Sequence, residues 1–145
     1  MQNSSREVII NHNSEKLFNI VLDLENYPDF IPWCSSMTVH SRSDSEIFAD
    51  MYVKYKFMIA YKFASHVIFD SKKLEIQTNY IEGPLKDLKT KWLFQSLDKN
   101  ITLIKFSVNF EFKSFINQKI AETFYPLIEN KMIESFRLRA NTILN

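Results

Sequence analysis

At 145 residues the chain has the size of one domain, and with 46% apolar residues it can bury a core without disulfides. A formal net charge of +1, from 18 basic and 17 acidic residues, excludes a strong overall field that would draw in nucleic acid or acidic lipid. A single glycine, Gly83, excludes clustered-glycine phosphate loops and dinucleotide fingerprints; a single cysteine, Cys34, excludes an internal disulfide and fits a reducing compartment.

The N-terminus MQNSSREVII lacks the basic region and apolar run of a signal peptide. No apolar run approaches the roughly 18–20 residues of a membrane span. The expectation is one soluble, unusually aromatic intracellular domain over 1–145, with 14% Phe, Trp and Tyr.

Residues 5–11, SREVIIN, read as a first short strand. Ser14 is placed to cap a helix, Glu15 suits its first turn, and Leu17, Phe18, Val21 and Leu22 recur at helical spacing to about Leu24. Tyr27-Pro28 and Ile31-Pro32 then end it, leaving at most a turn or a very short second helix around 27–31.

From Ser35 to Lys113 the apolar period becomes two. Ile104, Phe106, Val108, Phe110 and Phe112 alternate with polar residues, which predicts a strand with one buried and one wet face. Met51, Val53, Tyr55 and Phe57 repeat the pattern, as do Tyr61, Phe63, Ser65, Val67 and Phe69. Leu74, Ile76, Thr78 and Tyr80 follow, then Trp92 and Phe94. The breaks at 41–45, 70–73, 82–87 and 97–100 are short, so neighbouring strands are antiparallel and form a meander. In the tail, Ala121, Phe124, Ile128, Met132, Phe136 and Ile143 fall on one helical face. Ser114 is placed to cap that long helix and Pro126 to bend it. The predicted class is α+β: a curled antiparallel sheet of about 6–7 strands around a long C-terminal helix, with a short helix pair after strand 1.

This order resembles the helix-grip fold of the START-like superfamily. Residues 22–34, LDLENYPDFIPWC, are similar to the signature of the family joining the mitochondrial coenzyme Q-binding proteins to the bacterial ribosome association toxins (RatA). GPLKDLKTKWLF (83–94) resembles that family's Gly-Pro turn and following strand, and ENKMIESFRLRA (129–140) its closing helix. The similarity runs from about Arg6 to Ala140. It implies a deep apolar cavity between sheet and helix. It further implies either ubiquinone binding in support of respiratory electron transport, or interference with ribosomal subunit association. Polyketide cyclase and lipid transport are labels the wider superfamily carries. The compartment implied is bacterial cytoplasm, near the inner face of the inner membrane, or the mitochondrial matrix side.

The residues themselves offer two readings of so much aromatic surface. Either the interior is over-filled with side chains, or part of it lines a cavity with a few placed polar groups. The expected lining is Tyr27, Phe30, Trp33, Val53, Tyr55 and Phe57, then Phe63, Tyr80, Trp92 and Phe94, then Phe106, Val108, Phe124, Ile128 and Met132. Thr78, Ser135 and Arg139 are the expected polar contacts. In DLENYPDFIPWC the prolines fix the backbone, so the segment is either a corner packing the first helix on the sheet or a lip over the cavity mouth. Asp23, Glu25 and Asp29 keep its outer side solvated.

Catalytic signals are thin. His12, His40 and His66 are far apart without metal-ligand spacing, and Cys34 has no base named beside it. The expectation is therefore a non-enzymatic binding domain with no catalytic cofactor, ubiquinone or another prenylated lipid as its ligand, and a cyclase-type enzyme as the third reading. For the ribosome alternative, Lys86, Lys89 and Lys91 supply the candidate face toward the large subunit.

Overall fold

The structure, a computed structural model, describes residues 2–54, 61–113, 122 and 130–144. Seven strands form one antiparallel sheet: β1 (Gln2–Ile10), β2 (Cys34–Arg42), β3 (Glu46–Val53), β4 (Tyr61–Asp70), β5 (Glu75–Glu82), β6 (Leu85–Asp98) and β7 (Ile101–Phe112). Their spatial order is β1-β7-β6-β5-β4-β3-β2, a meander of six closed by the return of β7 to β1. Two helical elements, α1 (Ser14–Leu22) and a 3-10 helix (Leu24–Asp29), link β1 to β2, and α2 (Met132–Ile143) ends the chain. Register shifts place extra residues in β2, β5 and β6, and extra residues of this kind bend strands and raise their twist, which curls the sheet.

The period-two pattern sets the inner face. Ile104, Phe106, Val108 and Phe110 of β7 are buried, and across the sheet Trp92, Phe94, Ile76, Val67, Phe63, Ile47 and Val53 join them. From α2, Ile133, Phe136 and Ala140 point into the same core. The i, i+3, i+7 spacing of those three is the stripe a helix needs to cover a sheet.

Several local expectations are corrected. Asn13, not Ser14, caps α1: its side chain accepts from the Glu15 and Lys16 amides at 3.0 and 3.2 Å, while Ser14 is buried. The helix stops at Leu22, and the second helix is a 3-10 segment over Leu24–Asp29 with Pro28 inside it, earlier than the expected 27–31. Leu74 is not a strand residue but closes the β4–β5 turn with φ 55, the left-handed region. Asp70 makes that turn by accepting from the Lys72 and Lys73 amides at 2.9 and 3.1 Å, bonds that hold its carboxyl below the usual carboxylate range. The 82–87 break shrinks to Gly83-Pro84, because β6 already starts at Leu85. Tyr55 and Phe57, the Ser114 cap, the Pro126 bend, and Ala121, Phe124 and Ile128 lie outside the described residues.

Gly83 explains the tightness of that turn. Its φ is +152, and a Cβ there would stand 2.7 Å from both the Lys62 carbonyl oxygen and the Tyr80 hydroxyl. That hydroxyl accepts from the Leu85 amide at 2.8 Å, and Lys113 Nζ donates to the Gly83 carbonyl at 3.0 Å. Only a residue without a side chain fits.

Candidate functional site

Between the inner face of the sheet and α2 lies a cavity of about 90 Å³. The corner after α1 supplies Leu24, Tyr27, Ile31 and Trp33; α2 supplies Met132 and Phe136. Strands β2 to β4 contribute Met37, Ala49, Met51, Phe63, Ser65 and Val67, and strands β5 and β6 contribute Thr78, Leu88, Thr90 and Trp92. The register places Thr78 directly between Val67 and Thr90, so two threonines sit side by side, with Ser65 two residues from Val67 on the same face. None of the three hydroxyls has a hydrogen-bond partner among the described residues. Three convergent polar groups in an apolar enclosure are what orients a ligand that carries a carbonyl or hydroxyl.

The corner DLENYPDFIPWC is largely buried. Tyr27, Ile31, Trp33 and Cys34 are 8% exposed or less, while Asp23, Glu25 and Asp29 face solvent. The Tyr27 hydroxyl donates to the Val21 carbonyl, pinning the corner to the end of α1, and burial drives its pKa far above the ordinary phenol value. Arg42 donates to both Glu25 and the Leu22 carbonyl, which ties the corner to β2 from outside. Phe136 then gathers the rings: its centroid lies 5.3 Å from Tyr27, 5.4 Å from Phe30 and 5.2 Å from Trp92, each in an edge-to-face pair. Trp33 faces the cavity rather than bulk solvent.

Of the residues expected around a ligand, Tyr27, Trp33, Phe63, Trp92, Met132 and Thr78 meet at this cavity. Val53, Phe94, Phe106 and Val108 are buried in the surrounding core; Phe30 and Tyr80 are half-buried against it. Ser135 is buried on α2, and Arg139 lies over the Phe30 ring, 5.0 Å from its centroid, as a cation–π contact. Tyr55, Phe57, Phe124 and Ile128 lie outside the described residues. Leu24, Ile31, Met37, Ala49, Met51, Val67, Leu88, Thr90 and Phe136 line the cavity outside the expected set. The alternation through Trp92 points Thr90 inward and that through Met51 and Val53 points Ala49 inward, so a signal for both exists; Met37 sits on a strand broken by register shifts.

The titratable groups lie elsewhere. His40 pairs with Asp50 at 2.7 Å and His66 with Glu46 at 3.0 Å, both on the outer face of the sheet, and His12 bonds Asn141 at 3.0 Å. The Cys34 thiol donates to the Ser36 carbonyl at 3.5 Å, and burial pushes its pKa up to about 11, so it is a poor nucleophile at neutral pH. Among the described residues no cluster of His, Cys, Asp or Glu could hold a metal ion. No helix among them is long and apolar enough to cross a membrane. Lys86 is paired with Glu111 at 2.9 Å, whereas Lys89 and Lys91 form no ion pair among the described residues.

A protein named ribosome association toxin RatA from Rickettsia prowazekii is 31% identical over 139 residues, spanning 94% of each chain. The mitochondrial coenzyme Q-binding protein COQ10 of Drosophila melanogaster is 27% identical over 144 residues, and the match spans 59% of its length. Among solved structures, the Zhui aromatase/cyclase from Streptomyces sp. R1128 superimposes with a TM-score of 0.86 at 12% identity, over 99% of this chain and 96% of that one. A START superfamily protein from Mycobacterium smegmatis gives 0.82 at 16% identity, over 97% of this chain and 98% of that one. At those identities the structures establish the shared START-like fold. Residues 10–137 match the family described as polyketide cyclase / dehydrase and lipid transport, and the chain belongs to that family.

Proposed function

We propose that the chain is a binding protein for a prenylated quinone, ubiquinone or a close relative, held in the cavity under α2 and presented to respiratory membrane proteins. The observation that carries this reading is the set of three hydroxyls, Ser65, Thr78 and Thr90, on the floor of an otherwise apolar, aromatic cavity and without a hydrogen-bond partner among the described residues. A quinone carbonyl is an acceptor for such donors, and its ring suits the faces of Trp33 and Trp92. The space of about 90 Å³ is smaller than a dry cavity of ~150 Å³ that takes up benzene, so a prenylated ligand enters by moving walls. Met37, Met51 and Met132 are the walls suited to it, because unbranched thioether chains repack readily. Each buried methylene then contributes about 0.8 kcal/mol, so ten prenyl carbons supply about 8 kcal/mol before ordering costs.

The test is solvent extraction and mass spectrometry of protein purified from its native host, beside an Ala49→Leu variant that adds an isopropyl group inside the cavity. A near-stoichiometric prenylated quinone in the wild type, lost in the variant, supports the proposal. Lipid-free wild-type protein that folds normally removes it.

A second reading is association with the large ribosomal subunit. It is favoured by the toxin-named relative, which is more similar than the quinone-binding one and is matched over nearly its whole length. Ala49→Leu should leave sedimentation with that subunit intact. A cyclase-type activity is a third reading, resting on the fold shared with the aromatase/cyclase.

A further inference from the structure

The outer face of the sheet, opposite the cavity, carries an order that the core does not require. One line of residues crosses six strands in strict register: Phe48 pairs with His66, His66 with Asn79, Asn79 with Lys89, Lys89 with Asn109, and Asn109 with Asn3. The parallel line beside it runs Ile68, Gln77, Lys91, Ser107 and Ser5. Alternation forces all these side chains to the solvent side, because their neighbours fill the core.

Three features of this face point to one kind of partner. Phe48 and His66 stack with centroids 4.2 Å apart and planes within 4°, and Phe48 remains 38% exposed. An exposed aromatic on a sheet is a platform on which a base can continue the stack. Asn79, Gln77, Asn109 and Asn3 supply amides, which both donate and accept and so can match base edges. Lys89, Lys91 and Lys105 form no ion pair among the described residues, unlike Lys62 and Lys86, which pair with Glu82 and Glu111. Between β6, β7 and β1, Lys91 and Lys105 border a groove of about 320 Å³ whose lining includes Ser5, Glu7, Leu93 and Ser107. Two ammonium groups and two hydroxyls suit phosphate oxygens there, with Glu7 as the single acid. Phe48 lies three strands from Lys89 and His66 two, about 14 and 10 Å at ordinary strand spacing.

We infer that this outer face binds single-stranded RNA, with a base stacked on the Phe48–His66 pair and phosphates on Lys89, Lys91 and Lys105. The site is separate from the cavity and gives the ribosomal reading a surface, resting on that reading for the source of the RNA. A chain of net charge +1 exerts little long-range attraction, so binding is short-range and salt-sensitive. Two or three phosphate contacts give a slope of log affinity against log salt of about −1.4 to −2.

The experiment is fluorescence anisotropy of a labelled oligouridine at low salt, together with sedimentation of the protein with purified large ribosomal subunits. Lys89→Glu with Lys91→Glu is expected to weaken oligouridine binding at least tenfold and abolish sedimentation. Phe48→Ala is expected to weaken it several-fold with the salt slope unchanged. Lys89→Gln with Lys91→Gln repeats the charge loss with minimal strain, and the unfolding curve of each variant checks its fold. Absence of oligouridine binding by the wild type, or binding that survives charge reversal, overturns the inference. If the reversed variant still sediments with the subunit, the ribosomal reading stands and only this face is wrong. If the wild type binds oligouridine through these lysines but does not sediment, the face is right and the ribosome is not its partner.

Discussion

Thr78 and Thr90 stand directly opposite each other on β5 and β6, with both hydroxyls turned into the cavity and neither bonded to protein among the described residues. Both residues are half-buried, and among the described residues no fully buried side-chain polar atom lacks a partner, so the two hydroxyls cost the fold little and stay available to a ligand. Replacing either with the isosteric Val should therefore leave ligand-free stability unchanged or raised. It should also weaken binding of a carbonyl-bearing quinone about five- to tenfold, equivalent to about 1–1.4 kcal/mol, while sparing a hydrocarbon of similar size. Denaturation curves and paired titrations check both halves. A large loss of stability in Thr90→Val would mean the hydroxyls serve the fold instead.

Gly83→Ala is expected to destabilise the protein by about 2 kcal/mol. The backbone there occupies φ +152, and the added methyl meets the Lys62 carbonyl at 2.7 Å, a backbone atom that cannot swing aside. Urea unfolding measures the loss. An unchanged midpoint would show that the β5–β6 turn relaxes freely.

Alkaline pH should lower the stability of the chain, beginning with Cys34. The fold accommodates the neutral thiol and raises its pKa from 9.0 to about 11. Stability from this group is thus fully present below pH 9.0 and declines as pH rises toward 11, because the unfolded chain loses the proton first. Tyr27 acts in the same direction at still higher pH, its phenol being held neutral by burial. In a Cys34→Ala variant, denaturation midpoints at pH 8 and pH 10 should differ less than in the wild type. An equal pH dependence would show that the thiol is not the titrating group.

Arg139→Ala should lower stability by about 0.5–1 kcal/mol through loss of the contact with Phe30. It should leave ligand affinity alone, since Arg139 packs over Phe30 and not on the cavity. A calorimetric titration that loses affinity in this variant would place the guanidinium at the ligand after all.

The strands were legible because burial on one face only writes a period of two, and Ile104, Phe106, Val108 and Phe110 obey it without exception. The corner 23–34 was legible too, since two prolines among large aromatics leave few conformations. Leu74 escaped because a branched apolar residue in the left-handed region runs against intrinsic preference; the Asp70 turn and core packing impose it. The Asn13 cap was missed in favour of Ser14, an equally good capping type one residue on, and only the register of α1 decides between them. The cavity was half visible. Alternation named its aromatic walls, but the meeting of Ser65, Thr78 and Thr90 depends on cross-strand register, which sequence alone does not carry.

Both tryptophans of the chain, Trp33 and Trp92, line the one cavity, so the entire indole fluorescence reports from it. The decisive measurement is a titration of the purified protein with a short-chain ubiquinone, followed by tryptophan emission. Occupancy of the cavity gives saturable quenching that levels off at one quinone per chain and is lost in Ala49→Leu. Quenching that stays weak and linear, equal to that of free N-acetyltryptophanamide, would contradict a quinone site under α2.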